Sequence, residues 1–303
     1  MMNVDGVPLS GRSATLASMD IERVEILKGP QGTLFGRNSE AGAINVVTRR
    51  PTQELEGYVR ADAGEEDQHV FEGALGGALS NTLSGRLAVR SAGADSVVFS
   101  QDTNKPVLEA KDRGWRGSLL WELSENTEAL FVAEQHDQEG RIGLEVQRPY
   151  SEPPTQNVTP GIQFGENDQK RYSVELNHDF NSFRFTSLSS QTLNDTDTVS
   201  CQSADLAGLV YGFPVEVCQA ITAEFDTLNQ DFRLTSLDGD ELFWVVGLNT
   251  ARVDRRYANG VEVFGSAADR YFETDSTAIY SEASYPLSDN WSITAGARVT
   301  SEE

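Results

Sequence analysis

Three glycines beside two cations are the first residues in this chain whose types could do chemistry: Lys28-Gly29-Pro30-Gln31-Gly32, then Phe35-Gly36-Arg37-Asn38. Glycine loops cradle phosphate with their backbone N–H groups, but a phosphate loop needs four residues between its glycines and then Lys-Ser or Lys-Thr. Here three residues separate Gly32 from Gly36 and Arg37-Asn38 follow, so nucleotide binding is not expected. Cys201 and Cys218 stand too far apart for a redox CxxC pair, and no histidine lies near enough to complete a zinc site. His69, His136 and His178 fall on three different segments without the spacing of a metal pair. Glu125, Glu128 and Glu134 belong to no acid/base or nucleophile pattern, and Gly11-Arg12-Ser13-Ala14-Thr15 lacks the second glycine of a nucleophile elbow. The expectation is a protein that is not an enzyme and carries neither metal nor cofactor.

The elements around the glycine run are short and β-rich. Ile21 to Leu27 reads as a strand running into the turn Lys28 to Gly32, where two glycines and a proline favour tight reversal. A second bend follows at Phe35 to Asn38. Gly42-Ala43-Ile44-Asn45-Val46-Val47-Thr48 then reads as another strand, with small residues where backbones approach closely. Upstream, Val4-Asp5-Gly6-Val7-Pro8-Leu9 reads as strand and turn.

From Pro51 the chain becomes a ladder of alternating segments. Leu55, Gly57, Val59, Ala61 and Ala63 alternate with Glu56, Tyr58, Arg60 and Asp62; Trp115, Leu119, Trp121 and Leu123 oppose Arg116, Ser118 and Glu122. Tyr172, Val174, Leu176, His178 and Phe180 oppose Arg171, Ser173, Glu175, Asn177 and Asp179; Trp291, Ile293, Ala295, Ala297 and Val299 oppose Ser292, Thr294, Gly296, Arg298 and Thr300. About eleven such strands are expected, most about ten residues long, the length that crosses a bilayer when tilted. A soluble sandwich or solenoid shares the period of two, but a sandwich interior forbids the charges found on the second face. Connections alternate as well. Turns such as Ser80 to Thr82, Ser124 to Asn126, Asn181-Ser182, Asp238 to Asp240 and Ser288 to Asn290 alternate with longer loops at Ala94 to Lys111, Gly140 to Asn167, Asp195 to Ala223 and Ala258 to Phe272, with Gly64 to Gln68 the short exception. Outer-membrane barrels have that asymmetry, short turns on the periplasmic side and long loops outside. Trp115, Tyr172 and Trp291, near strand ends, are candidates for interfacial girdles, with ordinary sheet packing an equal reading.

Composition sets the outer limits. The 303 residues are 38% hydrophobic, with no apolar run near the roughly eighteen residues of a membrane helix. A net charge of -23 argues against nucleic acid as a partner. It fits either simple solubility or acidic surfaces that meet cationic or metal-loaded solutes. Met1 to Gly6 shows no basic stretch followed by an apolar core, hence no signal peptide.

The stretch from Ile21 to Pro51, with Val4 to Leu9 ahead of it, resembles the C-terminal half of the plug domain of TonB-dependent outer-membrane receptors. The residues that carry the resemblance are Gly29, Pro30, Gln31, Gly32, Gly36, Arg37, Asn38 and Gly42. The family's barrel has about 22 strands around a plug, imports iron-siderophore complexes, cobalamin or other scarce solutes, and is driven by TonB. The resemblance therefore implies an all-β fold: an antiparallel transmembrane barrel, incomplete at about 11 of 22 strands, with a partial N-terminal α+β plug. Residues 1–51 are read as plug and 52–303 as the N-terminal half of the barrel. The implied location is the bacterial outer membrane, and the implied partners are its lipid, TonB and the solute. Arg37 and the Glu22/Glu25 strand belong, by the same resemblance, to the part of the plug that meets the wall. No TonB box and no second barrel half are recognisable, so the chain is expected to lack its true beginning and to transport nothing alone. A passive porin or adhesion barrel, or a soluble carbohydrate-binding β protein, shares the ladder but leaves Lys28 to Asn38 unexplained.

Three expectations follow for the structure. Residues before Pro51 lie on the polar, concave face of a curved sheet, away from Trp115 and Trp121. In an exported protein an even cysteine count favours a Cys201–Cys218 disulfide in an exposed loop, two free thiols being the alternative. The sheet is open, with Leu55 to Ala63 and Trp291 to Val299 at its edges.

Overall fold

A computed structural model describes residues 2–9, 19–29, 31–35, 39, 41–140, 151–157, 163–237, 242–261, 266–288 and 290–303. The chain opens with a small sheet built from β1 (Met2–Val4), β2 (Val7–Pro8), β3 (Ile21–Lys28) and β4 (Gly42–Thr48), in the order β2-β1-β4-β3. Asp5 and Gly6 take positive φ angles of 51° and 77°, which is how a two-residue turn pairs Val4 with Val7. β1 runs parallel to β4, and Val4 and Val46 bury each other in the small core this makes, with Met2 and Leu9 against them. Between β3 and β4 a single helical turn, α1 (Gly32–Phe35), takes up Gly32, which sequence reading placed in a tight turn.

The remaining strands form one antiparallel sheet of 11. In chain order they are β5 (Glu56–Ala63), β6 (His69–Ala78), β7 (Leu83–Asp95), β9 (Glu109–Ser124), β10 (Thr127–Glu139), β12 (Phe164–Asp179), β13 (Phe183–Gln202), β14 (Val217–Ser236), β15 (Phe243–Val261), β16 (Ser266–Ser288) and β17 (Trp291–Glu302). β8 (Phe99–Ser100) and β11 (Thr155–Gln156) pair with each other among the loops, and a short helix, α2 (Ala204–Tyr211), caps the connection from β13 to β14. Each strand of the large sheet pairs with its neighbour in this order, and β5 and β17 are the open edges.

The sheet is inverted relative to a soluble protein. Its polar face is buried and its apolar face is bare: Leu75 is 63% and Val299 77% exposed, whereas Arg171 and Glu134 are fully covered. A hydrocarbon solvent outside a polar interior is the arrangement that inverts the usual rule. Trp115, Tyr172 and Trp291 all sit on the bare face. Beyond Trp115 and Tyr172 the outward residues turn charged, at Arg113, Lys111, Lys170 and Asp168, so the two aromatics border the apolar band. From Tyr172 to Phe180 the band runs roughly 27 Å along the strand, about 20 Å high once tilted, close to a bilayer's apolar thickness.

The strands are longer than the expected ten residues. β13 and β14 have 20 each, β15 has 19 and β16 has 23, so much of what read as loop at Asp195 to Ala223 and Ala258 to Phe272 is paired strand. Above the bilayer both faces are wet. The apolar alternation that marks a strand in sequence then disappears, while the backbone pairing continues. Cys201 and Cys218 therefore stand directly opposite each other on β13 and β14, at the base of the α2 connection, and form a disulfide.

Candidate functional site

The small sheet rests on the polar face of the large one, opposite Trp115 and Trp121, and the two meet through arginines. Period-two alternation turns Arg116 of β9, Glu134 of β10 and Arg171 of β12 inward. Register then places Glu134 directly across from Arg116 on one side and Arg171 on the other. Arg116 Nε donates to Glu134 Oε2 at 2.6 Å and Arg171 Nε to Glu134 Oε1 at 2.5 Å. With one carboxylate between two guanidiniums, each arginine keeps donors to spare, and these point at the N-terminal unit.

Arg171 Nη1 donates to the Val4 carbonyl at 3.0 Å and its Nη2 to Asp5 Oδ2 at 3.2 Å. Arg116 Nη1 donates to the Met19 carbonyl at 3.0 Å. On the adjacent strand, Arg86 of β7 grips Asp20 with both prongs at 2.7 Å, the geometry in which a guanidinium binds a carboxylate most strongly. The Asp20 backbone N–H donates to Glu72 of β6, which also accepts from Tyr58 and Arg90. Arg50, in the segment joining the two sheets, reverses the polarity and pairs with Glu175 at 2.5 Å and Glu128 at 3.3 Å. Burial works against the Arg50 charge, but those two carboxylates hold its pKa above the ordinary value.

Inside the small sheet these contacts are mechanically linked. Asp5 accepts from the Thr48 N–H at 2.8 Å and the Thr48 hydroxyl at 3.0 Å, so displacing the end of β4 pulls on the group that Arg171 holds. On the far side of the sheet, Asn45 donates to Glu25 at 2.9 Å, and that hydrogen bond, with Arg23 beside it, keeps the Glu25 carboxyl below its usual range. The arrangement is a non-covalent clamp, with buried charges satisfied only while the two sheets are docked.

Of the glycine-run residues, Gly29 takes a φ of 82°, the Gln31 N–H donates to the Ser39 carbonyl, and Gly32 opens α1. Gly42 has a φ of 136° and stands so close to β3 that a Cβ there meets the Leu27 carbonyl oxygen at 2.4 Å. Pro30, Gly36, Arg37 and Asn38 lie outside the described residues, as do Gly11 to Thr15. Glu22 and Glu25 lie on β3, the outer, exposed strand of the small sheet, where both acids pair with Arg23. Among the described residues, Val4, Asp5, Met19, Asp20 and Arg50 make polar contacts with the 11-stranded sheet, and α1 packs against β16 and β17.

The histidines stay apart on β6, β10 and β12. His136 is fully buried against Asp112, and His178 packs edge-on against Phe180 at 4.3 Å between ring centres. Of the three glutamates singled out, Glu134 is the centre of the clamp, Glu128 receives Arg50, and Glu125 sits in a turn. Sequence reading missed Asp5, Asp20, Arg86, Arg116 and Arg171 as a set. Inward arginines on successive strands were visible, but not the register that aligns them.

Two family models match the chain. One, described as TonB dependent receptor-like, beta-barrel, covers residues 88–303, well over half of the chain; the other, the TonB-dependent Receptor Plug Domain, covers residues 1–43. The chain is 32% identical over 142 residues to the ferripyoverdine receptor of Pseudomonas aeruginosa, a match covering 44% of this chain and 17% of that protein. It is 28% identical over 197 residues to the ferrioxamine receptor of Yersinia enterocolitica, covering 60% and 27%. Among solved structures, the ferric yersiniabactin uptake receptor FyuA from Yersinia pestis superposes with a TM-score of 0.80 at 19% identity, over 99% of this chain and 47% of that one. The chain thus spans about half the length of the solved receptor it resembles in fold.

Proposed function

The chain belongs to the family of TonB-dependent receptors and resides in the bacterial outer membrane, and from that premise we propose that it forms the plug and part of the wall of an active importer for a scarce solute. An iron-siderophore complex is the first choice, cobalamin or another nutrient the second. Residues 1–51 act as plug and 52–303 as barrel wall, with the glycine run from Gly29 to Gly42 shaping the plug. The work is binding and release, not bond-making.

The observation that supports this reading is the clamp. Arg86, Arg116 and Arg171 hold an N-terminal unit inside the wall through its backbone carbonyls and two aspartates. A passive porin or adhesion barrel has no use for such a unit, whereas a gated importer must hold one closed and let it go under load. TonB, pulling on the plug, supplies that load. Thr48 passes it to Asp5, and Asp5 to Arg171. Once one buried ion pair opens, its partners lose their compensation, so release is cooperative.

The test is accumulation of radio-iron from a panel of ferric siderophores, with cyanocobalamin alongside, in cells whose only high-affinity receptor contains this chain. One solute is expected to accumulate against its gradient when TonB is present and to bind at the surface without accumulating when it is deleted. Equal accumulation in both strains would point to passive diffusion.

A further inference from the structure

Seven residues, Arg49 to Leu55, join the end of β4 to the start of β5. A connector needs only to reach, yet this one is fastened along its length. Arg50 Nη2 donates to Glu175 Oε1 of β12 at 2.5 Å, and its Nη1 to Glu128 Oε1 of β10 at 3.3 Å. Three residues on, Gln53 Nε2 donates to Glu122 Oε2 of β9 at 3.1 Å. Between them Pro51 is buried. Proline fixes its own φ and keeps the residue before it extended, so the stretch loses little freedom when its side chains bind. At the plug end, the Arg49 N–H donates to the Asp20 carbonyl at 3.1 Å.

The three acceptors form a row. Period-two alternation turns Glu122, Glu128 and Glu175 inward near the short-turn ends of three neighbouring strands, and register sets Glu122 directly opposite Glu128. Like charges so placed repel, and Arg50 offsets that repulsion. Asn177 Nδ2 donates to Glu128 at 3.0 Å and to Glu175 at 2.7 Å, and its Oδ1 accepts from the Thr186 hydroxyl of β13 at 2.7 Å. Two further wall side chains thus hold the carboxylates that receive Arg50. The Arg50 side chain is 43% exposed, so each bond is modest alone; together they spread a load over three strands.

Along the chain the clamp comes first, at Val4 to Asp20, and the connector last. Without its bonds, a pull that had freed the plug would run straight into Glu56, where the pairing of β5 with β6 begins. We propose that the connector is a fixed anchor: Arg50 and Gln53 tie it to β9, β10 and β12, so that force on the plug is borne by the middle of the wall and spares β5. The inference rests on the importer reading for the source of that force. Clamp and anchor then have opposite tasks, the arginines of the wall letting go while Arg50 and Gln53 hold.

Single-molecule pulling on the plug, with the receptor containing this chain embedded in a bilayer, tests the anchor directly. Arg50 to Leu55 span at most about 20 Å when extended. A force peak is therefore expected about 20 Å before the one at which β5 leaves the wall. It should vanish in the double variant Arg50→Gln with Gln53→Ala, vanish likewise in Glu175→Gln with Glu122→Gln, and persist in Arg50→Lys. Identical traces in the unaltered receptor and both double variants overturn the proposal. Uptake tests whether the anchor stays put. In Gln53→Cys with Glu122→Cys, joining the two thiols with a short bismaleimide should leave TonB-dependent accumulation within twofold of the same protein before cross-linking. Joining Asp20→Cys to Arg86→Cys should abolish it. Loss of uptake on cross-linking residues 53 and 122 means that the connector must move, and overturns the fixed anchor. If the unaltered receptor shows no TonB-dependent uptake at all, the importer reading fails, and the pulling traces decide the anchor on their own.

Discussion

Replacing Arg86 by glutamine tests the clamp at its best-defined point. Arg86 and Asp20 are 3% and 1% exposed at their side chains, and both prongs of the guanidinium are used at 2.7 Å. Removing one member of a buried, hydrogen-bonded pair costs roughly 3–5 kcal/mol, because the other charge is left without compensation. Glu56, the remaining partner of Arg86 at 3.1 Å, is 42% exposed at its side chain and adds little. The loss falls on undocking of the small sheet and not on the barrel, whose strand pairing is untouched. At 1.36 kcal/mol per factor of ten, local opening around Asp20 should become roughly a hundred- to several-thousand-fold more frequent. Hydrogen exchange read by mass spectrometry over Met19 to Lys28 measures that frequency, with Phe243 to Val253 as an internal reference. The double variant Arg86→Gln with Asp20→Asn removes both charges and should recover part of the protection, with a coupling of about 0.5–3 kcal/mol. Acceleration of less than threefold in the plug segment, or equal acceleration in the reference, would refute the clamp as a load-holding contact.

Four further outcomes are expected. Unfolded without reductant, the protein should show no reactive thiols, and loss of the Cys201–Cys218 bond should lower stability by about 3 kcal/mol; two titratable thiols would remove the premise. Glu25 has a folded pKa below its ordinary value, so its contribution is present above the unfolded carboxylate range near pH 4.3 and is lost as pH falls through the lower folded pKa. In Asn45→Ala the main cause of that depression is gone, and acid unfolding of the small sheet, followed by circular dichroism, should begin at higher pH. Gly42→Ala should destabilise the same sheet by at least ~1 kcal/mol, since φ is 136° and the new Cβ meets a carbonyl at 2.4 Å; unchanged urea midpoints would contradict the close approach. Produced on its own, the chain should collect in inclusion bodies, because the β5 and β17 edges and the apolar face are all uncovered. A monodisperse water-soluble monomer would argue against that.

Sequence alone determined the two kinds of element and their order. The period of two from Leu55 onward separates a face that meets lipid from one that meets a polar lumen, and eleven such runs give the eleven strands of the sheet. The glycines at 29 and 42 mark positions where φ is positive, and such positions are legible because no other residue takes them cheaply. Alternation is informative only where the two faces meet different solvents. It therefore fell silent at Asp195, Asp197, Glu224 and Arg256, where β13 to β15 continue above the bilayer with water on both sides.

Tertiary structure alone decided the clamp. Arg171 and Glu134 are 37 residues apart in sequence, and Arg86 and Asp20 are 66 apart. An inward arginine on a strand says only that the interior is polar. Whether it faces a glutamate, a plug carbonyl or empty lumen depends on strand register, and turns and backbone pairing along the whole ladder set that register.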